Sequence, residues 1–211
     1  MRVEQNAAGR IMRELGRTES GPGADVQLTI DAGLQNFTQA RLGTESASAV
    51  VMDVLNGDIV AAVSSPSYDP NMFVSGISVP DYSGLRDNDR RPLHNKIVQG
   101  LYPPGSTFKM AVIMAAMEAE VITPDEQIYC GGYINISNRR FHCWKRGGHG
   151  NVDMAKSLRE SCDIYYYEMA QRTGIDNIAR MARRLGLGIA HDIEMTSISE
   201  GLIPDRDWKR T

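Results

Sequence analysis

Residues 103–120 constrain this chain more than any other stretch. Pro103, Pro104 and Gly105 force a turn, and a helix-forming apolar segment follows at once, predicted as a helix over Thr107 to Glu120. Met110, Ile113, Met114 and Met117 recur at helical spacing, so they are expected to form one stripe facing a core. Ala111, Ala115 and Ala116 are small and would let neighbouring elements approach closely. Ser106 and Lys109 stand at the start of this segment, three residues apart and so on one helical face. That spacing puts the Lys109 amine within reach of the Ser106 hydroxyl. A serine hydroxyl is a poor nucleophile without a base. A lysine at the positive end of a helix dipole is pushed toward the neutral form that can act as one. S-x-x-K is therefore a candidate acyl-transfer dyad. The plainer reading is a capping serine followed by a solvated lysine.

The chain has 211 residues, enough for one sizeable domain or a domain with an appendage. Its 42% hydrophobic and 23% charged residues are those of a globular protein, and a net charge of −3 gives no support for nucleic-acid binding. No run approaches the ~18 apolar residues of a membrane-spanning helix. The start, MRVEQNAAGRIMREL, has charges throughout and does not read as a signal peptide. Both ends are expected to be boundaries of a piece cut from a longer chain.

The remaining elements follow from local patterns. Residues 1–24 read as a connecting segment with short strand or turn content, ending in Ser20-Gly21-Pro22-Gly23. ADVQLTI, residues 24–30, alternates like a half-buried strand, and Asp31 can cap a helix over Ala32 to Leu42. Residues 47–55 and 58–64 are β-rich runs joined by Asn56-Gly57, which predicts a hairpin with a type I′ turn. Both runs are nearly all apolar, so the hairpin is expected to be covered on both faces. Residues 65–102 read as irregular, with short helices. Residues 129–150 read as a loop or small hairpin, and helices are expected over 154–160, 164–172 and 176–185, with Gly186 beyond the last. Strands followed by a helix-rich middle make a mixed α/β (α+β) domain, a sheet flanked by helices. Tyr165, Tyr166 and Tyr167 read as helix packing, because three adjacent residues face three directions.

Two further groups carry chemistry. Ser161-Cys162-Asp163 lies between two helical segments. In extended backbone Ser161 and Asp163 would face one way and Cys162 the other; the plainer reading is a helix break with a capping side chain. The spacing Cys130-x12-Cys143-x5-His149-x12-Cys162 contains all three cysteines. Three thiolates and an imidazole make a tetrahedral zinc set. Buried cysteines acting as small hydrophobes, or one disulfide with a free thiol, are the alternatives. His142 beside Cys143 is a substitute ligand, with His149 preferred. Arg139, Arg140, Lys145 and Arg146 put positive charge beside this loop, where they solvate it.

PPGSTFK followed by a helix, and then Ser161-Cys162-Asp163, resemble the first two motifs of the penicillin-binding proteins. LTIDAGLQ, AVVMDVLNGDIVAAVSSPSYDPN and LHNKIVQGLYPPGSTFK are similar to that family's transpeptidase domain in sequence and order. WKRGGHG, residues 144–150, and S-x-D in place of S-x-N resemble the class B, elongation-type branch, and NAAGRIMREL is similar to the end of its non-catalytic pedestal. The resemblance thus divides the chain into residues 1–24, a pedestal end, and residues 25–211, a truncated transpeptidase domain with the family's penicillin-binding, β-lactamase-like fold.

The resemblance implies a peptidoglycan D,D-transpeptidase acting on stem peptides and acylated by β-lactams. Ser106 would be the nucleophile and Lys109 its base. Ser161 would relay the proton, Asp163 would position the lysine or the substrate, and the Ser106 N–H would supply half an oxyanion hole. Elongation-type relatives can carry zinc at the places of Cys130, Cys143, His149 and Cys162, where a closed structural metal would brace Ser161 and Asp163 from behind. A membrane anchor, the periplasmic face of the bacterial inner membrane and a RodA-type glycan polymerase as partner are also implied. The family's third motif, K-[ST]-G, is not present: Lys209 is followed by Arg210 and Thr211. That departure keeps two other readings in view, a zinc-stabilised binding or scaffold piece without activity, and a β-lactam sensor or β-lactamase-like protein.

Overall fold

The structure is a computed structural model that describes residues 2–6, 10–16, 23–74, 76–193 and 195–210. Parts of the expected linker and pedestal end (residues 1, 7–9 and 17–22) and Thr211 lie outside the described residues. The chain opens with an antiparallel pair, β1 (Arg2–Gln5) and β2 (Ile11–Gly16), in which Arg13 pairs with Glu4. Helix α1 (Ala32–Leu42) starts where Asp31 accepts the Leu34 N–H at 2.7 Å, a side-chain cap of the expected kind. It lies against the antiparallel pair β3 (Ala47–Met52) and β4 (Ile59–Ser65), and the Gln35 side-chain amide exchanges two hydrogen bonds with the Ala62 backbone, both 2.8 Å.

Three expectations fail in this region. Residues 24–30 form no strand. They run exposed beside β4, tied by Thr29 Oγ1 to the Ile59 carbonyl at 2.6 Å and by the Asp31 N–H to Val60. Alternation alone could not show that nothing covers one face. The β3–β4 connection is not a two-residue type I′ turn. The ladder closes at Asp53–Asp58, Gly57 N–H bonds Asp53, and only Gly57 of the central pair has positive φ (83°). Asp53 takes the Leu55 N–H at 2.8 Å, a side-chain turn that competes with the tight hairpin. The pair is also not covered on both faces: β4 buries Ala61, Val63 and Ser65, whereas Val50, Val51 and Met52 of β3 are exposed.

Residues 66–104 are irregular as expected, with a 3₁₀ turn at Pro70–Phe73 and helix α2 (Val79–Arg86) capped by Ser78. A second 3₁₀ turn, Gly105–Phe108, leads into α3 (Lys109–Glu118). The main core forms around α3 together with α5 (Asp163–Thr173) and α6 (Ile175–Arg184). The methionine stripe is a misreading. Ala111, Val112, Ile113, Ala115 and Ala116 are buried, while Met110, Met114 and Met117 are exposed. Small side chains win the inner face because two helices close onto α3 at once, and the alanines leave room for Tyr165, Tyr166 and Met169.

Two small antiparallel pairs stand beside these helices: β5 (Ile128–Cys130) with β8 (Gly150–Val152), and β6 (Tyr133–Ile136) with β7 (Arg139–His142). Helix α4 (Met154–Arg159), capped by Asp153, precedes α5. The architecture is mixed α/β, with four two-stranded sheets among the described residues rather than one broad sheet. No helix among the described residues is long and apolar enough to cross a membrane.

Candidate active site and metal centre

Ser106 sits in the 3₁₀ turn, closed by the Lys109 N–H onto the Ser106 carbonyl, with Gly105 at φ +56° making the entry possible. Lys109 is the first residue of α3. Its ammonium is surrounded by three oxygens from the other end of the domain: Asp163 Oδ1 at 2.6 Å, the Ser161 carbonyl at 2.8 Å and Ser161 Oγ at 2.9 Å. The Tyr166 ring lies 5.4 Å below it. Ser161 Oγ then donates to Ser106 Oγ at 3.0 Å. The structure therefore brings all four expected residues together, but not by the expected direct dyad. Asp163 draws the amine toward the start of α5, and Ser161 bridges it to Ser106.

The geometry of Ser161 comes from how α4 ends. Ser161 N–H bonds Leu158 and Cys162 N–H bonds Ser157, the two hydrogen bonds of a Schellman close. That motif needs a left-handed residue, usually glycine, and Ser161 occupies it at φ +50°. The conformation costs a non-glycine residue about 1 kcal/mol, so packing must hold it. The helix break is present as expected, but Ser161 is left-handed and Asp163 helical rather than extended, and the break is what points the Ser161 hydroxyl at Ser106. Cys162 follows in extended backbone (φ −70°, ψ 110°) as the cap of α5 and turns its thiol the other way, into the protein.

Behind the motif, Cys130 ends β5, Cys143 follows β7, His149 precedes β8 and Cys162 begins α5. Their ligand atoms all lie within 4.8 Å of one another, and all four residues are buried. His149 Nδ1 is 3.5 Å from both Cys130 Sγ and Cys143 Sγ. A tetrahedral zinc with ordinary Zn–S and Zn–N bonds sets S···N edges of roughly 3.6 Å, and the two His149–cysteine edges match that length. The three cysteines are unpaired, so the structure does not take the disulfide alternative. Burial lowers the His149 pKa, which suits a neutral ligand. Burial pushes the Cys162 thiol up to about 12. Cys143 is shifted the other way: burial opposes ionisation, but the N–H groups of Lys145, Asp163 and Ile164, with Cys130, outweigh it. His149 Nε2 is buried without a hydrogen-bond partner, and the Glu160 carboxylate stands 3.9 Å away. His142 is not part of the cluster.

The loop holding these ligands is drawn tight by glycine. An added Cβ at Gly148 would lie 2.1 Å from the Cys130 carbonyl oxygen, and one at Gly132 would lie 2.2 Å from that of Arg146. Lys156 Nζ ties the loop to α4 by donating to the His149 and Asn151 carbonyls, each at 2.8 Å. Sequence reasoning missed Trp144. Its backbone N–H donates to Asp163 Oδ2 at 3.0 Å, and its indole N–H donates to the carbonyls of Glu160 and Ser161 at 3.1 and 3.2 Å. Its place next to Cys143, in a loop that must meet the second motif, was the available signal.

Residues 47–211 match the family model of the penicillin binding protein transpeptidase domain. The chain belongs to the penicillin-binding protein transpeptidase family. It is 41% identical over 209 residues to the peptidoglycan D,D-transpeptidase MrdA of Acinetobacter baumannii, covering 98% of this chain and 31% of that protein. The crystal structure of Pseudomonas aeruginosa PBP2 in complex with WCK 5153 superposes with a TM-score of 0.86 at 40% identity, over 90% of this chain and 43% of that one. PBP2 of Helicobacter pylori, in complex with MreC, gives 0.86 at 31% identity, over 98% and 39%. The chain thus spans about a third of the length of the curated relatives it matches.

Proposed function

We propose that this chain carries the acylation machinery of an elongation-type peptidoglycan D,D-transpeptidase. The observation that supports it is the Ser161 hydroxyl, 3.0 Å from Ser106 Oγ and 2.9 Å from Lys109 Nζ, joining residues from two distant segments into one proton path. Ser106 Oγ attacks the carbonyl of the penultimate D-Ala of a stem peptide. Its proton passes to Ser161 Oγ, whose own proton goes to Lys109 in its amine form. The path runs backward to protonate the departing D-Ala amine, leaving an ester on Ser106. The amine of a neighbouring stem then attacks that ester, releasing Ser106 and forming the cross-link. Asp163 holds Lys109 in place throughout. A β-lactam enters as a cyclic mimic of the same acyl donor and stops at the ester.

Cys130, Cys143, His149 and Cys162 would hold one structural zinc, which supplies a fixed tetrahedral anchor and no open position for water. Its effect on the reaction is mechanical, because Cys162 stands between Ser161 and Asp163. On this reading residues 1–24 are the end of a pedestal, and the parent protein works at the periplasmic face of the inner membrane beside a RodA-type polymerase. The Helicobacter pylori relative's complex with MreC supports an assembly of that kind.

The test is incubation of the chain with a fluorescent penicillin, followed by intact mass and peptide mapping. One adduct per chain on Ser106, absent in Ser106→Ala, is expected. Labelling that survives Ser106→Ala, or no labelling of the parent sequence, overturns the reading.

A further inference from the structure

Trp144 presents a contradiction that a packing role does not resolve. Its side chain sits in the loop that supplies two metal-ligating residues, yet the residue is 64% exposed, so burial of the ring contributes little to holding it there. What fixes it is polar: the indole N–H lies between the carbonyls of Glu160 and Ser161, the backbone N–H is on Asp163 Oδ2, and the ring edge meets His149 at a centroid distance of 5.4 Å. Every one of these partners is a member of the second motif, its preceding residue or the cysteine–histidine cluster.

The Ser161 carbonyl is the centre of the arrangement. It accepts from Lys109 Nζ at 2.8 Å and from the Trp144 indole at 3.2 Å, using both of its lone pairs. Ser161 is also the residue held at φ +50° without being glycine. Rotating it out of the left-handed region would swing its carbonyl away from both donors and its hydroxyl away from Ser106. Lys109 alone cannot police that rotation, because its flexible stem can follow the carbonyl. The indole is rigid and its donor direction is fixed by the loop.

We propose that Trp144 is a positioning residue for acylation: its indole N–H pins the Ser161 carbonyl, and thereby the Ser161 hydroxyl, in the orientation that bridges Ser106 to Lys109. The catalytic part of this inference rests on the proposed function. The conformational part, that the indole N–H holds Ser161, does not.

The test replaces the indole N–H while keeping the ring. Benzothienylalanine placed specifically at position 144 has the shape of tryptophan and no donor; Trp144→Phe is the genetically simple companion. With fluorescent penicillin, the acylation rate constant is expected to fall roughly three- to tenfold, the worth of one net hydrogen bond. The dissociation constant of the pre-covalent complex and the zinc content should stay at parent values, and the melting temperature should fall by no more than the roughly 2–4 °C that one hydrogen bond is worth. A larger fall in melting temperature or a loss of zinc accompanying the loss of rate would make Trp144 merely structural and overturn the proposal, as would an unchanged rate.

If the parent chain takes no penicillin, the proposed function fails, and the conformational claim is decided by NMR of labelled chain. The Trp144 indole proton should exchange slowly for so exposed a ring, and the Ser161 carbonyl carbon and amide shifts should move in the benzothienylalanine variant. Fast exchange and unmoved Ser161 shifts refute it.

Discussion

Neutralising Asp163 tests whether its ion pair with Lys109 holds the two segments of the candidate site together. Lys109 Nζ and Asp163 Oδ1 are 2.6 Å apart, with side chains only 13% and 24% exposed. Their attraction at an effective dielectric of 20 is about 6 kcal/mol, much of it offset by desolvation. Removing one partner of a well-buried pair costs about 3–5 kcal/mol. Here Nζ keeps two neutral oxygens of Ser161 and the carboxylate is a quarter open to water, so the lower end applies. Asp163→Asn preserves size and the acceptor for the Trp144 N–H, and also forfeits a favourable charge in the first turn of α5.

The expected loss for Asp163→Asn is therefore about 3 kcal/mol, measured by urea unfolding with zinc held constant. Lys109→Met leaves a carboxylate still served by the Trp144 N–H and the helix terminus, and should cost about 1 kcal/mol. The double variant removes both charges and should cost about 2 kcal/mol, a coupling of about 2 kcal/mol. A coupling below about 0.5 kcal/mol would mean that the pair behaves like a surface salt bridge, and the argument that Asp163 anchors Lys109 would be wrong.

Three further outcomes follow from other parts of the molecule. Native mass spectrometry should find one zinc per chain, lost in Cys162→Ser; a chain without metal and with a two-proton mass deficit would point to a disulfide instead. Gly148→Ala should destabilise by at least about 2 kcal/mol and release the metal, because its methyl would meet the Cys130 carbonyl at a positive φ of 73°; thermal melts with metal analysis check this. Lys96 is 5% exposed, its ammonium donates to the Arg91 carbonyl at 3.2 Å, and burial lowers its pKa from the usual value of 10.5. Below the folded value both states bind the proton and the native state bears the burial penalty. Between the folded value and 10.5 only the unfolded chain stays protonated, so stability rises with pH across that window. Lys96→Met should therefore gain stability at neutral pH and lose the alkaline rise, as read from unfolding curves at several pH values.

Much of the site was legible because its chemistry is compact in sequence. The turn before Ser106, the cap at Asp31, and the convergence of three cysteines with His149 all follow from short-range rules and donor chemistry. What failed depended on which surfaces meet. Periodicity on α3 was real, but it could not show that alanines rather than methionines would face α5 and α6. Alternation in residues 24–30 predicted a strand, but a strand needs a partner along its length, and β4 supplies two hydrogen bonds. The direct Ser106–Lys109 contact failed because spacing within one segment is blind to Asp163, fifty-four residues away, which competes for the amine. Trp144 was missed for the same reason: beyond its place next to Cys143, nothing in the sequence links it to its partners, the Glu160 and Ser161 carbonyls and the Asp163 carboxylate.

The middle position of a catalytic tripeptide is ordinarily where mutation is tolerated, since its side chain points away from the chemistry. Cys162 removes that freedom. Flanked by Ser161 and Asp163 and committed to the buried cluster, it ties the drift of one site to the drift of the other. On the proposed reading, a variant that alters how Ser161 or Asp163 meets a β-lactam must also keep the backbone that aims the Cys162 thiol at Cys130, Cys143 and His149. The mutational routes around this motif are narrower than its three letters suggest, and a chemist seeking a target slow to evolve would look behind the serine as well as at it.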